Sequence, residues 1–221
     1  MKHAIVLLSG GLDSATTLFY AQSKGFKVSC LIFDYGQRHR REIEQAKKIA
    51  RRADCHFEVI KIHLPWKGSA LLDKKVRLPQ RKVIDPQEIP VTYVPARNII
   101  FLSFAASFAE SIGAGAIFIG ANSVDYSGYP DCRPEFFKAY QKVLKQGQKS
   151  GVEGRVIQIY TPLVHKTKAQ IIGLGIKLKV PYQLTWSCYA GGLNPCGKCD
   201  SCRLRQKGFE EAGLRDPLAG V

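Results

Sequence analysis

Residues 4–14 read AIVLLSGGLDS. The five apolar residues AIVLL (4–8) match a strand buried on both faces. Ser9, Gly10 and Gly11 break the run, and Asp13 opens a segment to Lys24 that reads as a helix ended by Gly25. Two glycines at such a joint let the backbone bend sharply and approach a ligand closely. The peptide N–H groups that follow lie at a helix N-terminus, where unsatisfied donors and the macrodipole favour an anion. Ser9 and Ser14 add hydroxyl groups. The stretch therefore predicts a phosphate cradle at the end of the first strand. Asp13 would repel a bare phosphate, so it fits there either as a helix cap or as a ligand for a divalent cation shared with the phosphates. Neither GxxxxGK[ST] nor GxGxxG occurs in the chain.

The alternation continues on the C-terminal side. KVSCLIFDY (27–35) reads as a second strand, RREIEQAKKIARRA (40–53) as a helix and HFEVIKIHL (56–64) as a third strand. Strand–helix–strand–helix–strand predicts a parallel sheet with right-handed crossovers. Residues 65–91 carry four prolines and many charges with little periodicity, which predicts a functional loop or lid, or else a partly helical surface excursion. The pattern then resumes. A buried helix is expected over 96–114, a fourth strand over 116–121, a helix over 134–148, a fifth strand over 155–162 and a helix over 166–178. The expected organisation is one α/β domain over 1–180 and a C-terminal appendage over 181–221.

With 221 residues, 45% of them hydrophobic, the chain has a globular composition and room for one sizeable core. The N-terminal apolar run stops at Gly10, and the longest later run, Ile99 to Ala109, is broken by serines. Neither suits a signal peptide or a bilayer span, so the expected location is the cytoplasm, with no membrane partner. The net charge is +15, partly in patches at RHRR (38–41), KKIARR (47–52) and KKVRLPQRK (74–82). Such patches read as solvated faces or as attraction for phosphates, either nucleotides or nucleic acid.

Four of the seven cysteines crowd into CYAGGLNPCGKCDSC (188–202), at C-x7-C-x2-C-x2-C. Cys188, Cys196, Cys199 and Cys202 at that spacing, curled through Gly and Pro, suit a closed tetrahedral zinc site of structural type. The rival is an iron–sulfur cluster, but the C-x3-C-P continuation of ferredoxin-like runs is absent. Cys132 sits alone in a polar loop and reads as a packed side chain or a reactive thiol.

Three polar stretches fall after strands or at helix starts, where the ligand-binding edge of such a sheet lies. VPARN (94–98) offers Arg97 and Asn98. NSVDYSGYPDCR (122–133) offers Asn122, Asp125, Tyr126, Ser127, Tyr129, Asp131 and Arg133, a mixture suited to stacking a flat heterocycle and bonding its edge. PLVHKTKAQI (162–171) offers Lys166 and Lys168, which could neutralise charge as pyrophosphate departs.

As a literal string, SGGLDS resembles the PP-loop of the ATP pyrophosphatase superfamily, whose members split ATP to AMP and pyrophosphate through adenylated intermediates. The set LSGGLDS, YVPARN, GANSVDYSGYPDCRPEF, TWSCY and CGKCDSC, running almost the length of the chain, is similar to the QueC family within it. This resemblance implies a doubly wound, Rossmann-like five-stranded sheet of the adenine nucleotide alpha hydrolase type, with a small zinc-binding appendage. It implies a ligase of queuosine biosynthesis that turns 7-carboxy-7-deazaguanine and ammonia into the nitrile with two ATP and Mg2+. It also implies a homodimer and no stable nucleic-acid partner. By position, Leu8, Ser9, Gly10, Gly11, Leu12, Asp13, Ser14, Ala15, Thr16, Thr17 and Leu18 would bind ATP. Asn122, Asp125, Tyr126, Tyr129, Asp131 and Arg133 would take the deazaguanine. Asp13, Arg97, Lys166 and Lys168 would carry the chemistry, and the four clustered cysteines would hold zinc. Two alternatives remain at this point: a tRNA-modifying PP-loop enzyme of the thiolase type, and a non-catalytic zinc-bearing nucleic-acid-binding module. No residue presents itself in the sequence as the base that would deprotonate ammonium.

Overall fold

A computed structural model describes residues 2–80, 88–124 and 128–219. Strands β1 (His3–Leu7), β2 (Lys27–Asp34), β3 (His56–Lys61), β4 (Ala116–Ile119) and β5 (Gln158–Tyr160) form one parallel sheet in the order β3-β2-β1-β4-β5. The chain works outward from β1 to β3, then crosses back to β4 and outward to β5. The ends of β1 and β4 thus flank the crevice where such sheets bind ligands.

Alternate residues of each strand feed two cores. Ala4, Val6, Cys30, Ile32 and Phe118 face α1 (Leu12–Ser23), α2 (Arg41–Arg52), α6 (Lys168–Lys177) and α7 (Asp200–Glu211). Ile5, Leu7, Leu31, Phe33 and Ile117 face α3 (Arg97–Ser111) and α4 (Pro134–Gly147), which the short α5 (Lys149–Val152) follows. Burial on both faces explains why β1 and β2 read as unbroken apolar runs. α7 packs on α6, and Tyr182 and Phe209 of the tail lie in the first core, their rings 5.7 Å apart edge to face. A Cβ on Gly175 would fall 1.8 Å from the Tyr182 hydroxyl, so α6 needs glycine where the tail crosses it.

Two expectations change. The fifth strand pairs only over Gln158–Tyr160 rather than 155–162, because it is an edge strand whose one neighbour, β4, has four residues. Within 65–91, the described residues 65–80 and 88–91 form neither helix nor strand. They are nevertheless stapled down. Ala70 N–H donates to the Val91 carbonyl (2.8 Å), Arg38 N–H donates to the Leu71 carbonyl (2.8 Å), and Leu71 is buried in the second core. No helix among the described residues is long and apolar enough to cross a membrane.

Candidate active site

A cleft of about 300 Å³ opens at the carboxyl ends of β1, β2 and β4. Its floor is the SGGLDS turn. Gly10 has φ +83°, and a Cβ there would lie 2.2 Å from the Glu42 carbonyl oxygen, so both conformation and space demand glycine. Gly120, after β4, allows a similar approach from the other side: its Cβ would sit 3.0 Å from the Asp13 backbone. Ser14 Oγ accepts from Ser9 N–H (3.2 Å), lies 3.0 Å from Ser9 Oγ and donates to the Gly11 carbonyl (3.1 Å), which fixes the turn. Gly11 is the N-cap of α1 and no side chain caps that helix. The helix-cap role considered for Asp13 is therefore not realised. Its carboxylate instead accepts two bonds from Lys168 Nζ, at 2.8 and 2.7 Å. A Cβ on Gly208 of α7 would lie 2.3 Å from Lys168 Cγ, so that glycine makes the room for the lysine stem.

Leu8, Ser9, Gly11, Leu12, Asp13 and Ser14 line the cleft. Gly10 is held behind it, with its carbonyl accepting from Trp186 N–H (2.8 Å). Ala15, Thr16, Thr17 and Leu18, grouped with the loop on sequence, turn away from it. Ala15 and Leu18 pack in the core, Thr16 Oγ1 bonds the Leu12 carbonyl and the Tyr182 hydroxyl (both 2.9 Å), and Thr17 Oγ1 bonds the Asp13 carbonyl (2.9 Å). The helical register leaves their side chains no path back to the turn.

The other predicted residues divide. Arg97 borders the cleft and donates to the Tyr35 hydroxyl (3.2 Å). It is aimed by Ala96, which starts α3 in the left-handed region at φ 56°, a strained setting for a residue with a Cβ. Tyr129 borders the cleft, its hydroxyl 2.6 Å from Thr92 Oγ1. Asn122 also borders it and donates to the carbonyls of Leu163 (3.3 Å) and Lys166, tying the β4 and β5 loops together. Asp131, Arg133 and Lys166 are not among the described residues that line it. Asp131 is buried and accepts from Asn98 N–H (3.0 Å), satisfying an orphan donor in the first turn of α3. Burial pushes its pKa up, against that hydrogen bond and the Arg97 charge. Arg133 is exposed at the start of α4. Asp125, Tyr126 and Ser127 lie outside the described residues.

Cys132 is a packed side chain: its Sγ accepts from Asn98 Nδ2 (3.3 Å). Burial first, then the Asp131 charge, pushes the thiol up to about 12. That leaves about one thiolate in 10⁴ at pH 8. Native protein treated with iodoacetamide at pH 8 should show Cys132 unmodified by peptide mass mapping. Rapid labelling there would mean the site is more open than this.

The four clustered sulfurs all lie within 4.8 Å of one another. Tetrahedral zinc with bonds of about 2.3 Å places its sulfurs about 3.8 Å apart, so the donor set fits such an ion. Backbone N–H groups already point at the sulfurs. Cys196 N–H donates to Cys188 Sγ (3.3 Å), and Lys198 and Cys199 N–H donate to Cys196 Sγ (both 3.4 Å). The cluster is joined to the cleft. Trp186 Nε1 donates to the Cys188 carbonyl (3.0 Å), the Arg41 guanidinium lies 4.2 Å over the Trp186 ring, and Arg41 also donates to the Gly192 (3.3 Å) and Leu193 carbonyls.

A glycine-rich turn between the ends of β1 and β4, a carboxylate–lysine pair beside it and a cluster of four sulfurs define the constellation. A sequence model of the family described as queuosine biosynthesis protein QueC matches residues 3–213. The chain belongs to the QueC family. A 7-cyano-7-deazaguanine synthase of Thermoplasma volcanium is 52% identical over 218 residues, covering 98% of this chain and 90% of the relative. One of Nostoc punctiforme is 52% identical over 219 residues, covering 97% and 98%. Among solved structures, the NMN synthetase of Francisella tularensis superposes with a TM-score of 0.52 at 16% identity, covering 97% of this chain and 78% of that one. At that identity the likeness concerns the fold.

The QueC-family cleft also has walls that the sequence reading missed. Phe33, Tyr35 and Phe101 form an aromatic side, with Phe33 and Phe101 stacked at 4.0 Å. Trp186, Ser187, Tyr189, Ser201 and Arg205 come from the tail. Arg205 is buried, paired with Asp216 through Nε (2.7 Å) and Nη2 (2.9 Å), and donates to Thr185 Oγ1 (2.6 Å). RHRR (38–41) is not a uniform charged patch. Arg38 binds carbonyls of the 70–76 segment, Arg41 stacks on Trp186, and His39 is only 3% exposed.

Proposed function

We propose that this QueC-family protein is an ATP-dependent ligase that converts 7-carboxy-7-deazaguanine and ammonia to 7-cyano-7-deazaguanine, releasing AMP and diphosphate. The observation that carries the reading is the SGGLDS turn at the β1–β4 crossing, walled by stacked aromatics and neutralised by Lys168 against Asp13. In this reading the N–H groups at the start of α1 and the Ser9 and Ser14 hydroxyls hold the pyrophosphate. Asp13 would hold Mg2+, which supplies charge neutralisation on the phosphate oxygens. Lys168, already beside Asp13, keeps that carboxylate from repelling the nucleotide. Arg97 offers a fixed positive charge to the substrate carboxylate, and Tyr129 and the aromatic wall take the flat base. A carboxylate on an electron-rich pyrrole is a poor electrophile, and adenylation gives it a leaving group. The four cysteines hold a structural zinc.

The test is incubation with Mg-ATP, ammonium and 7-carboxy-7-deazaguanine, followed by mass spectrometry. The expected result is the nitrile with two AMP per product. AMP without amide or nitrile would move the substrate to another carboxylate or to tRNA. The Asp13→Ala protein should stay folded, because that side chain is partly exposed at the rim, and should lose AMP formation by at least about 10²-fold. AMP formation at the unaltered rate would refute the phosphate-loop assignment.

A further inference from the structure

We propose that Asp131 is a positioning residue that aims Arg97, so that the loop carrying Tyr129 and the arginine are set by one clamp. The proposal rests on the substrate reading above, in which Arg97 meets the substrate carboxylate. Asp131 is not among the described residues that border the cleft, whereas Arg97 and Tyr129 are. Lys168 and Arg205 also line it, but each already has a carboxylate partner, Asp13 and Asp216. Arg97 donates to the neutral Tyr35 hydroxyl (3.2 Å) and forms no ion pair among the described residues. Its charge is left for a ligand, and its aim matters accordingly.

A long side chain is placed only as well as the backbone that carries it. That backbone begins at Ala96, in the left-handed region at φ 56°. A residue stays there only where its neighbours over-determine it. Here they act from both sides. Upstream, Ala96 N–H donates to the Tyr93 hydroxyl (3.1 Å). Downstream, Asn98 N–H donates to Asp131 Oδ2 (3.0 Å), and Asn98 Nδ2 donates to the Asp131 carbonyl (3.0 Å) and to Cys132 Sγ (3.3 Å). Asn98 and Asp131 are both buried, so water does not compete for these bonds. The same loop also reaches the upstream side. The Tyr129 hydroxyl lies 2.6 Å from Thr92 Oγ1, and its ring lies 6.0 Å from the Tyr93 ring. A Cβ on Gly128 would fall 2.2 Å from the Glu88 carbonyl oxygen, so glycine lets the loop lie against that segment. Residues 128–132 therefore grip the hinge of Arg97 at both ends.

The charge of Asp131 is the informative part. A neutral asparagine or serine oxygen would satisfy the Asn98 N–H, and a carboxylate costs more to bury than an amide of similar shape. Burial opposes ionisation of Asp131, and the Asn98 N–H and the Arg97 charge offset part of that. The carboxylate attracts the guanidinium without closing on it as an ion pair, while the Tyr35 hydroxyl fixes Nη1. Arg97 is thus oriented and still unneutralised by direct contact.

The test is a double-variant cycle. ATP–pyrophosphate exchange dependent on 7-carboxy-7-deazaguanine reads adenylation without ammonia. Asp131→Asn keeps an oxygen for the Asn98 N–H and removes the charge. It should lose exchange by about 10-fold or more, with the KM for ATP within about threefold because the SGGLDS turn is untouched. Arg97→Gln should lose about 10²-fold. In the Arg97→Gln background, Asp131→Asn should cost no more than about twofold further, since a positioning residue then has nothing to position. A carboxylate with a merely structural role would cost the same in both backgrounds. Asp131→Ser, which also offers an oxygen, enters the cycle if Asp131→Asn does not fold. Failure of both to fold, unchanged exchange, a matching rise in the KM for ATP, or additive losses would overturn the proposal. Full exchange in Arg97→Gln would take the arginine off the substrate, and the proposal with it. Absence of exchange in the unaltered protein would instead overturn the substrate reading.

Discussion

The Gly10→Ala protein is expected to lose at least about 10²-fold in ATP-dependent turnover, because a displacement of about 1 Å in a positioning group has that effect. Two independent costs meet at this residue. A left-handed backbone costs a residue with a Cβ about 1–2 kcal/mol. The new carbon would also fall 2.2 Å from the Glu42 carbonyl oxygen and 2.9 Å from Ala46 N, both backbone atoms of α2. Neither neighbour can rotate away as a side chain would. Relief requires α2 or the turn to move, and the turn carries the donors at the head of α1. Melting by circular dichroism alongside steady-state rates separates the effects. The melt should fall modestly and the rate severely. A variant with normal turnover would show that the turn's position is not critical.

The second large effect is expected from Cys199→Ser. Removing one of four thiolates opens the closed site, and a structural zinc contributes on the order of 10 kcal/mol in small zinc domains. A loss of even ~4 kcal/mol would lower Tm by roughly 10 °C in a chain of this size. Activity should fall as well. Trp186, Ser187, Tyr189 and Ser201 form one wall of the cleft, and Trp186 N–H is bonded to the Gly10 carbonyl. Metal analysis, calorimetry and turnover on one preparation check this. A metal-free variant with an unchanged melting temperature and rate would refute a structural role for the ion.

The centre of the sheet was legible because β1, β2 and β4 are buried on both faces and stand out as apolar runs. The turn was legible because Gly-Gly between a strand and a helix has few other uses. The ends of β5 were not, because an edge strand takes its length from its neighbour rather than from its own composition. The QueC-family motifs placed Arg97, Asn122 and Tyr129 at the cleft. Asp131 was misjudged for a physical reason. An aspartate in a polar loop resembles a ligand-binding group until α3 is seen to present an uncapped Asn98 N–H to it. His39 was hidden among arginines, since nothing in RHRR reveals that one of four side chains points inward. Arg205 and Trp186 reach the cleft through tertiary packing of the tail, which no local pattern encodes.

The bond between Trp186 and Gly10 also bears on the order in which the molecule is made. Synthesis proceeds from the N-terminus, and all five strands precede Trp186 in the chain. The strands of a nascent chain therefore emerge while the SGGLDS turn still lacks its clasp. Catalytic competence arrives last, when the cysteine segment clears the ribosome and closes over the turn. Shortened products of interrupted translation would lack both this clasp and the share of the first core that Tyr182 and Phe209 fill.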